Sequence, residues 1–101
     1  MTMLIHTVYF WLKPELTADQ RNNFRRSLES LGGIASVEKL YVGAPAPAPK
    51  RPVLDDSYSF SVTVVLKDMA AHNSYQVDPL HLAFMAECKA VWTRVQVYDA
   101  A

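Results

Sequence analysis

His81 is the residue whose type and position best suit proton transfer. The pair Asp78-Pro79 is typical of a helix start, which puts His81 in the first turn of the following helix. The positive end of the helix dipole disfavours the imidazolium form there and keeps the ring neutral, as a general base requires. His81 is therefore a candidate general base, and the alternative is a structural hydrogen-bond network with Asp78.

The remaining histidines and the single cysteine have simpler expected roles. His6 shares a strand face with apolar residues, so we expect it either as a hydrogen-bonded core residue or at the wall of a pocket. His72 falls on a short helix and is expected to be exposed to solvent. Cys88 lies in an apolar stripe and is expected as a buried small side chain rather than as a nucleophile. A lone cysteine also excludes a disulfide within the chain.

Length and charge limit the classes of function. The chain has 101 residues, of which 50% are hydrophobic, and this predicts one domain over residues 1–101. Lys plus Arg and Asp plus Glu both number 10, so we expect no nucleic-acid partner and no anionic membrane partner. The first apolar run ends at Lys13, which is too short to span a bilayer. The N-terminal residues lack the pattern of a secretory signal, so a cytoplasmic location is expected.

The first half of the chain predicts a strand, a helix and a second strand. Residues 4–12 are rich in β-branched and aromatic types and are apolar on both faces, which favours a strand covered on both sides. Thr17 and Gln20 form a capping-box pattern, and the glycine pair at 32–33 ends the helix that follows. A strand is expected over residues 36–42. The proline-rich segment 44–52 excludes helix and central strand and predicts an extended surface loop.

The second half predicts a strand, a broken helix and a last strand. Residues 58–66 alternate as a strand, and a short helix is expected over residues 69–76. The next helix carries one apolar stripe of His81, Phe84, Met85, Cys88 and Trp92. Residues 94–98 form the last predicted strand. The fold class is therefore α+β, a ferredoxin-like plait of order βαββαβ with its second helix broken.

A plait with its helices on one side leaves the other face of the sheet bare. Packing that face against an identical sheet closes a dimeric α/β barrel, so a homodimer through the sheet face is expected. We expect a charge placed at Val62 or Val64 to disrupt this packing between the two sheets.

Three segments carry a resemblance to a known family. Residues 6–13 read H-T-V-Y-F-W-L-K, residues 74–84 read S-Y-Q-V-D-P-L-H-L-A-F, and residues 95–99 read V-Q-V-Y-D. They resemble the opening H-x-V-x-F-x-x-K strand, the Y-x-x-x-P-x-H-x-x-F helix start and the closing strand of the stress-responsive A/B-barrel (Dabb) family. The likeness covers residues 3–99. It implies a dimeric α/β barrel of one domain, in a family that includes plant stress proteins, bacterial proteins of unknown role and a plant polyketide cyclase.

The resemblance also implies roles for four residues. The family's cyclase uses a tyrosine and a histidine for an aldol-type ring closure, and these align with Tyr75 and His81. His6 and Asp99 align with polar groups near the pocket, with Asp99 placed to orient a histidine. His6, His81 and Asp99 together would suit a metal. No H-x-x-x-H or H-x-x-x-E spacing supports one, so no metal ligand and no cofactor are predicted. Segment 44–52 departs from the cyclase and leaves the substrate open.

Three kinds of function follow from these residues and the resemblance. The first is a homodimer whose pocket binds a small organic molecule without turnover, or which has a structural role under stress, and this class predicts a small or filled cavity. The second is a cofactor-free polyketide-cyclase-like or lyase or isomerase enzyme acting on a carbonyl compound, with Tyr75 and His81 at the wall of an open apolar cavity. The third is a monooxygenase of the related dimeric barrel fold.

Overall fold

The computed structural model describes residues 3–101 as a four-stranded antiparallel sheet with its helices on one face. Along the chain the elements are β1 (Leu4–Leu12), α1 (Ala18–Ser30), a 3-10 helix (Leu31–Gly33), β2 (Val37–Gly43), β3 (Phe60–Leu66), α2 (Met69–Val77), α3 (Pro79–Cys88) and β4 (Trp92–Ala100). The strand order is β2-β3-β1-β4. The predicted α+β ferredoxin-like plait is confirmed, while Met1 and Thr2 of the predicted domain lie outside the described residues.

Side-chain caps fix where each helix begins. The Thr17 hydroxyl accepts from the main-chain N–H of Gln20 at 3.1 Å, and the Gln20 side chain accepts from the N–H of Thr17, so the predicted capping box begins α1. The Asp68 carboxylate caps α2 and the Asp78 carboxylate caps α3. Asp78 has an extended backbone because a residue before proline is kept out of the helical region. The second helix is therefore broken between Val77 and Pro79, as predicted.

The core lies between the helices and one face of the sheet. The even-numbered side chains of β1 are all buried, and those of β3 continue the same face with Val62 and Val64 at 1% and 0% exposure. Leu28 of α1 packs against this face and is fully buried. Val62 and Val64 therefore lie under the helices, and the expectation that they report on packing between two sheets is wrong.

The odd-numbered side chains of β1 form a second, uncovered surface, which we call the open sheet face. Ile5, Thr7, Tyr9 and Trp11 lie on it and are intermediate in exposure or exposed. Both faces of β1 are thus largely apolar, as the sequence indicates, but one chain covers only one of them. No helix in residues 3–101 is long and apolar enough to cross a membrane.

The end of α3 differs from the sequence prediction. The helix ends at Cys88, and Trp92 begins β4 instead of continuing the helical stripe. The Trp92 ring still packs on the same core, with its centroid 5.2 Å from that of Phe10 and 6.0 Å from that of Phe84. An apolar side chain at this position suits the core from either a helix or a strand, so the spacing alone misassigned it.

The proline-rich segment forms the predicted extended loop. Residues 44–52 contain no helix or strand, and the chain stays irregular until β3 begins. The loop returns to the sheet at Ser59, whose main-chain N–H donates to the Phe10 carbonyl at 2.7 Å. The indole N–H of Trp11 donates to the Ser57 hydroxyl at 3.0 Å. These bonds hold the end of the loop over one edge of the open sheet face.

Candidate active site

A cavity of about 360 Å³ lies between the sheet and helices α2 and α3. We call it the helix-side cavity. Its walls are mainly apolar, and the side chains that matter below are His6, Tyr75, His81, Phe84, Trp92 and Val97. The size is within the range of small-molecule sites in proteins. The structure therefore brings Tyr75, His81 and His6, three of the four predicted site residues, to one pocket.

The two helices meet at this cavity and set the Tyr75–His81 pair. Tyr75 lies near the end of α2 and His81 in the first turn of α3, and their ring centroids are 4.8 Å apart. Nδ1 of His81 is 3.1 Å from the Gln76 carbonyl oxygen, which accepts a hydrogen bond from the N–H at that nitrogen. The proton is thereby held on Nδ1, so Nε2 carries the lone pair. His81 is arranged as a base at Nε2.

Burial keeps both members of the pair neutral near pH 7. Loss of solvent around His81 lowers its pKa, and this outweighs the Gln76 carbonyl, which acts in the opposite direction. Tyr75 is only 2% exposed, and its burial raises the pKa of the hydroxyl to about 12. A neutral imidazole can accept a proton and a neutral phenol can donate a hydrogen bond. These are the protonation states that the chemistry needs, because a neutral His81 can act as the general base and a neutral Tyr75 can donate a hydrogen bond to the oxyanion.

The lowered pKa of His81 makes stability depend on pH. An unfolded histidine titrates near 6.5, so between that value and the lower folded value the unfolded chain binds more protons. The free energy of unfolding is therefore expected to fall as the pH drops below about 6.5. Denaturant unfolding at pH 7.5 and 5.5 should show a larger fall in the parent than in His81→Asn. Equal falls in the two proteins would contradict this, since the other histidines are common to both.

Asp99 lies beside His6 at the outer side of the same region. The two residues are directly opposite each other on the antiparallel pair β1 and β4, and Nδ1 of His6 is 2.5 Å from Oδ1 of Asp99. His6 is 4% exposed, whereas the Asp99 side chain is 42% exposed. The structure thus sets Asp99 against His6. His6 in turn meets the Tyr75 ring edge-on at 5.8 Å between centroids.

His72 is the site residue that sequence reasoning missed. Its side chain is 14% exposed rather than solvated, and its Nε2 lies 3.8 Å from Oδ2 of Asp99. The His72 ring centroid is 5.3 Å from that of His6. His72 and Tyr75 are three residues apart on α2, so they share a helix face. That spacing was the available signal, because a helix that buries Tyr75 also turns His72 towards the sheet.

Cys88 has the inert environment that the sequence predicts. The side chain is 6% exposed within the apolar core, and burial raises the pKa of the thiol. A raised thiol pKa lowers the fraction of the reactive thiolate. The prediction that Cys88 is a buried small side chain is confirmed.

A second cavity of about 360 Å³ lies on the open sheet face, and we call it the sheet-face cavity. Tyr9, Trp11, Tyr58 and Tyr98 contribute aromatic walls. The Arg94 guanidinium lies 4.2 Å from the centroid of the Trp11 ring, within range of a cation–π contact. The lining contains no histidine. Its one carboxylate, Asp55, accepts a hydrogen bond from the Ser57 hydroxyl, which lowers the pKa of that carboxyl and makes it a weaker base than His81.

Known proteins with solved structures share this fold along almost the whole chain. A Dabb family protein with a ferredoxin-like fold from Mesorhizobium loti is 24% identical, with 98% of this chain and 95% of that chain covered and a TM-score of 0.80. A hydroxynitrile lyase from Passiflora edulis is 18% identical, with 97% and 91% covered and a TM-score of 0.82. A dimeric ferredoxin-like protein of unknown function from Thermobifida fusca is 21% identical, with 98% and 90% covered and a TM-score of 0.79.

The identities to these structures are low, so the structural likeness shows the fold alone. No curated protein matches the sequence. The stress responsive A/B barrel domain (Dabb) matches residues 4–101, which is nearly the full length and agrees with the three segments that carried the resemblance. The chain therefore belongs to the stress responsive A/B barrel domain family.

Proposed function

We propose that this protein is a homodimer whose helix-side cavity binds a small organic carbonyl compound and catalyses an aldol-type cyclisation or lyase step without a cofactor. One observation carries the proposal: an open, mainly apolar cavity of about 360 Å³ has a neutral Tyr75–His81 pair at its wall, with ring centroids 4.8 Å apart. A binder without turnover predicts a small or filled cavity, so the open cavity favours the enzyme. The likeness to a hydroxynitrile lyase supports carbonyl chemistry on this fold.

The proposed step is a proton transfer followed by carbon–carbon bond formation. Nε2 of His81 takes the proton from the carbon next to a carbonyl group, and the electron pair of that bond passes to the carbonyl oxygen as an enolate. The Tyr75 hydroxyl donates a hydrogen bond to this oxygen. The enolate carbon then attacks a second carbonyl in the same molecule, and the proton on His81 neutralises the new alkoxide. A lyase runs the same steps in reverse.

Ligand binding with a pair of neighbouring variants tests the location. Val97 lines the helix-side cavity, whereas Gln96 lines the sheet-face cavity. For an aromatic ketone that binds the parent, Val97→Trp is expected to weaken binding more than about tenfold, or about 1.4 kcal/mol, because the larger ring fills the pocket. Gln96→Trp should bind as the parent does. Calorimetric titration measures both, and the opposite pattern would place the ligand on the open sheet face.

Dimerisation through the open sheet face is part of the same proposal. Relatives with this fold are described as dimeric, and the chain's own loop covers the open sheet face only at the edge near Tyr9 and Trp11, leaving Ile5 exposed. A symmetric interface places the same surface on both partners. Folding and dimerisation are then coupled, because the isolated chain leaves this apolar surface in water.

A charge in the middle of the open sheet face is expected to separate the subunits. Thr7 lies on the central strand β1 between Thr63 and Tyr98. Thr7→Asp puts a charge into each half of the interface, so the dimer is expected to dissociate and the melting temperature to fall. Light scattering after gel filtration gives the mass, with the similarly shaped Thr7→Val as the control that stays dimeric. A Thr7→Asp protein that remains a dimer at all concentrations would refute the sheet-face interface.

Two expectations from the sequence stay predictions. The cytoplasmic location rests on the single Cys88, which agrees with a reducing compartment. The monooxygenase alternative rests on the fold, which many activities share. An absorbance spectrum of the purified protein would reveal a haem, the cofactor of one class of such enzymes.

A further inference from the structure

Three side chains that can each bind a metal ion lie together at the edge of the sheet, and each comes from a different helix or strand. They are His6 of β1, His72 of α2 and Asp99 of β4, and one ligand atom from each lies within 4.8 Å of the others. Two imidazoles and a carboxylate are a common set of three protein ligands for zinc or ferrous iron. We propose that the His6–His72–Asp99 cluster binds one divalent transition-metal ion per chain. His6 also lines the helix-side cavity, so the ion would lie beside the proposed carbonyl site, but its binding requires no carbonyl substrate.

The backbone holds the three ligands in place before any ion arrives. His6 and Asp99 are directly opposite in the register of β1 and β4, which brings their side chains together on the helix-covered face. His72 comes from the middle of α2, which packs over the same face. Ligands on a helix and two strands are held more exactly than ligands on loops.

One atom of the cluster lacks a partner that a metal ion would supply. Nε2 of His72 is buried and has no hydrogen-bond partner within residues 3–101. A buried polar atom left without a partner is destabilising, because it has lost its hydrogen bonds to water. Nδ1 of the same ring lies 3.4 Å from the Asn73 side-chain oxygen, so that nitrogen has a polar neighbour of its own. Nε2 lies 3.8 Å from a carboxylate oxygen of Asp99, and a cation between the two atoms would satisfy both.

The distances fit an ion after a small adjustment. Zinc binds imidazole nitrogen at about 2.0–2.1 Å and carboxylate oxygen at about 2.0–2.2 Å, so tetrahedral ligands lie about 3.3 Å apart. The 3.8 Å between His72 and Asp99 must shorten slightly, and the 2.5 Å between His6 and Asp99 must widen as the ion replaces the contact between them. The Asp99 side chain is 42% exposed, so it has room to rotate and gives an ion a path from solvent.

The charge around the cluster suits a divalent cation. Asp99 pairs only with His6 and His72 in the part of the chain that the structure describes, and with no lysine or arginine there. No fixed positive charge therefore competes for its carboxylate. Sequence spacing gave no sign of the cluster, because its members come from distant parts of the chain and His72 was expected to be exposed. His81, which the sequence-based metal hypothesis included, is not among the three ligands.

Metal binding by the full-length protein tests this inference without any substrate. After treatment with a chelator and dialysis, the protein is titrated with zinc chloride by calorimetry, and with cobalt(II) while the visible absorbance is recorded. We expect one zinc ion per chain and cobalt bands in the visible region. His72→Phe keeps a ring of similar size without a ligand atom and is expected to weaken zinc binding about 100-fold or more. His81→Asn removes the third histidine of the chain and should bind zinc as the parent does.

Each outcome decides the question. No zinc binding by the parent would overturn the proposal. Equal binding by His72→Phe, or loss of binding in His81→Asn, would place the ion elsewhere and also overturn it. If circular dichroism shows that His72→Phe does not fold, Asp99→Asn takes its place, because that side chain is partly exposed and keeps its shape. The proposed carbonyl chemistry has its own test in Val97→Trp, so either proposal can fail alone.

Discussion

Replacing His81 with asparagine is expected to slow proton exchange at the acidic carbon of a bound carbonyl compound by about 10²–10⁴-fold, the usual contribution of a general base. Asparagine can still donate a hydrogen bond to the Gln76 carbonyl from its amide, as Nδ1 of His81 does, but it offers no basic nitrogen. The measurement is the loss of the carbon-bound proton signal of an aromatic 1,3-diketone in deuterated buffer, followed by NMR. This readout needs no knowledge of the natural product.

Two comparisons make the His81 result specific. Tyr75→Phe keeps the ring and removes only the hydroxyl, so it should slow the exchange through loss of the oxyanion donor, by about 10²–10³-fold. Calorimetry of diketone binding should give similar affinities for all three proteins, because neither change fills the cavity. Exchange by His81→Asn at the parent's rate would show that another group takes the proton.

A second large effect is expected in the core. Val64→Asp buries a carboxylate at a position with 0% exposure, and an unpaired buried charge costs several kcal/mol. Since a domain of this kind is stable by only about 5–15 kcal/mol, the variant is expected to lose most or all of its folded population. Circular dichroism and denaturant unfolding measure this directly.

The neighbouring position supplies the control for Val64. Val65 points to the open sheet face and lies opposite Lys39 of β2 in the strand register. Val65→Asp leaves the helix-side core intact, so it is expected to cost less folding stability than Val64→Asp, although its charge lies on the proposed dimer face. If both variants lost folding to a similar extent, the assignment of Val64 to the core and of Val65 to the open sheet face would be wrong.

The elements of the fold could be predicted because short-range chemistry determines them. The Thr17 capping box, the Asp78-Pro79 start of α3 and the prolines of 44–52 act through neighbouring residues, and all three predictions are confirmed. The side of the sheet that the helices cover is set by long-range packing. Alternation alone could not tell whether Val64 faces a helix or a second subunit, and that expectation was wrong.

In the candidate site too, contacts between residues close in sequence could be predicted, whereas contacts set by long-range packing could not. Residues close in sequence, such as Tyr75 and His81, could be paired from the resemblance, and the structure places their rings together at one cavity. The contact between His6 and Asp99 depends on the register of two strands from opposite ends of the chain. The spacing of His72 and Tyr75 on α2 puts them on one helix face, but only the packing of α2 over the sheet brings His72 to Asp99. Local sequence therefore supports the pair and gives no sign of the cluster.

The most direct test of the proposed function is a crystal structure of the protein with a bound aromatic carbonyl compound. Two cavities of about the same volume compete for such a ligand, one at Tyr75 and His81 and the other at Tyr9 and Trp11. We predict density in the helix-side cavity, with the carbonyl oxygen at the Tyr75 hydroxyl and the acidic carbon at Nε2 of His81. Density confined to the sheet-face cavity, or a helix-side cavity filled by the protein's own side chains, would contradict the proposed site.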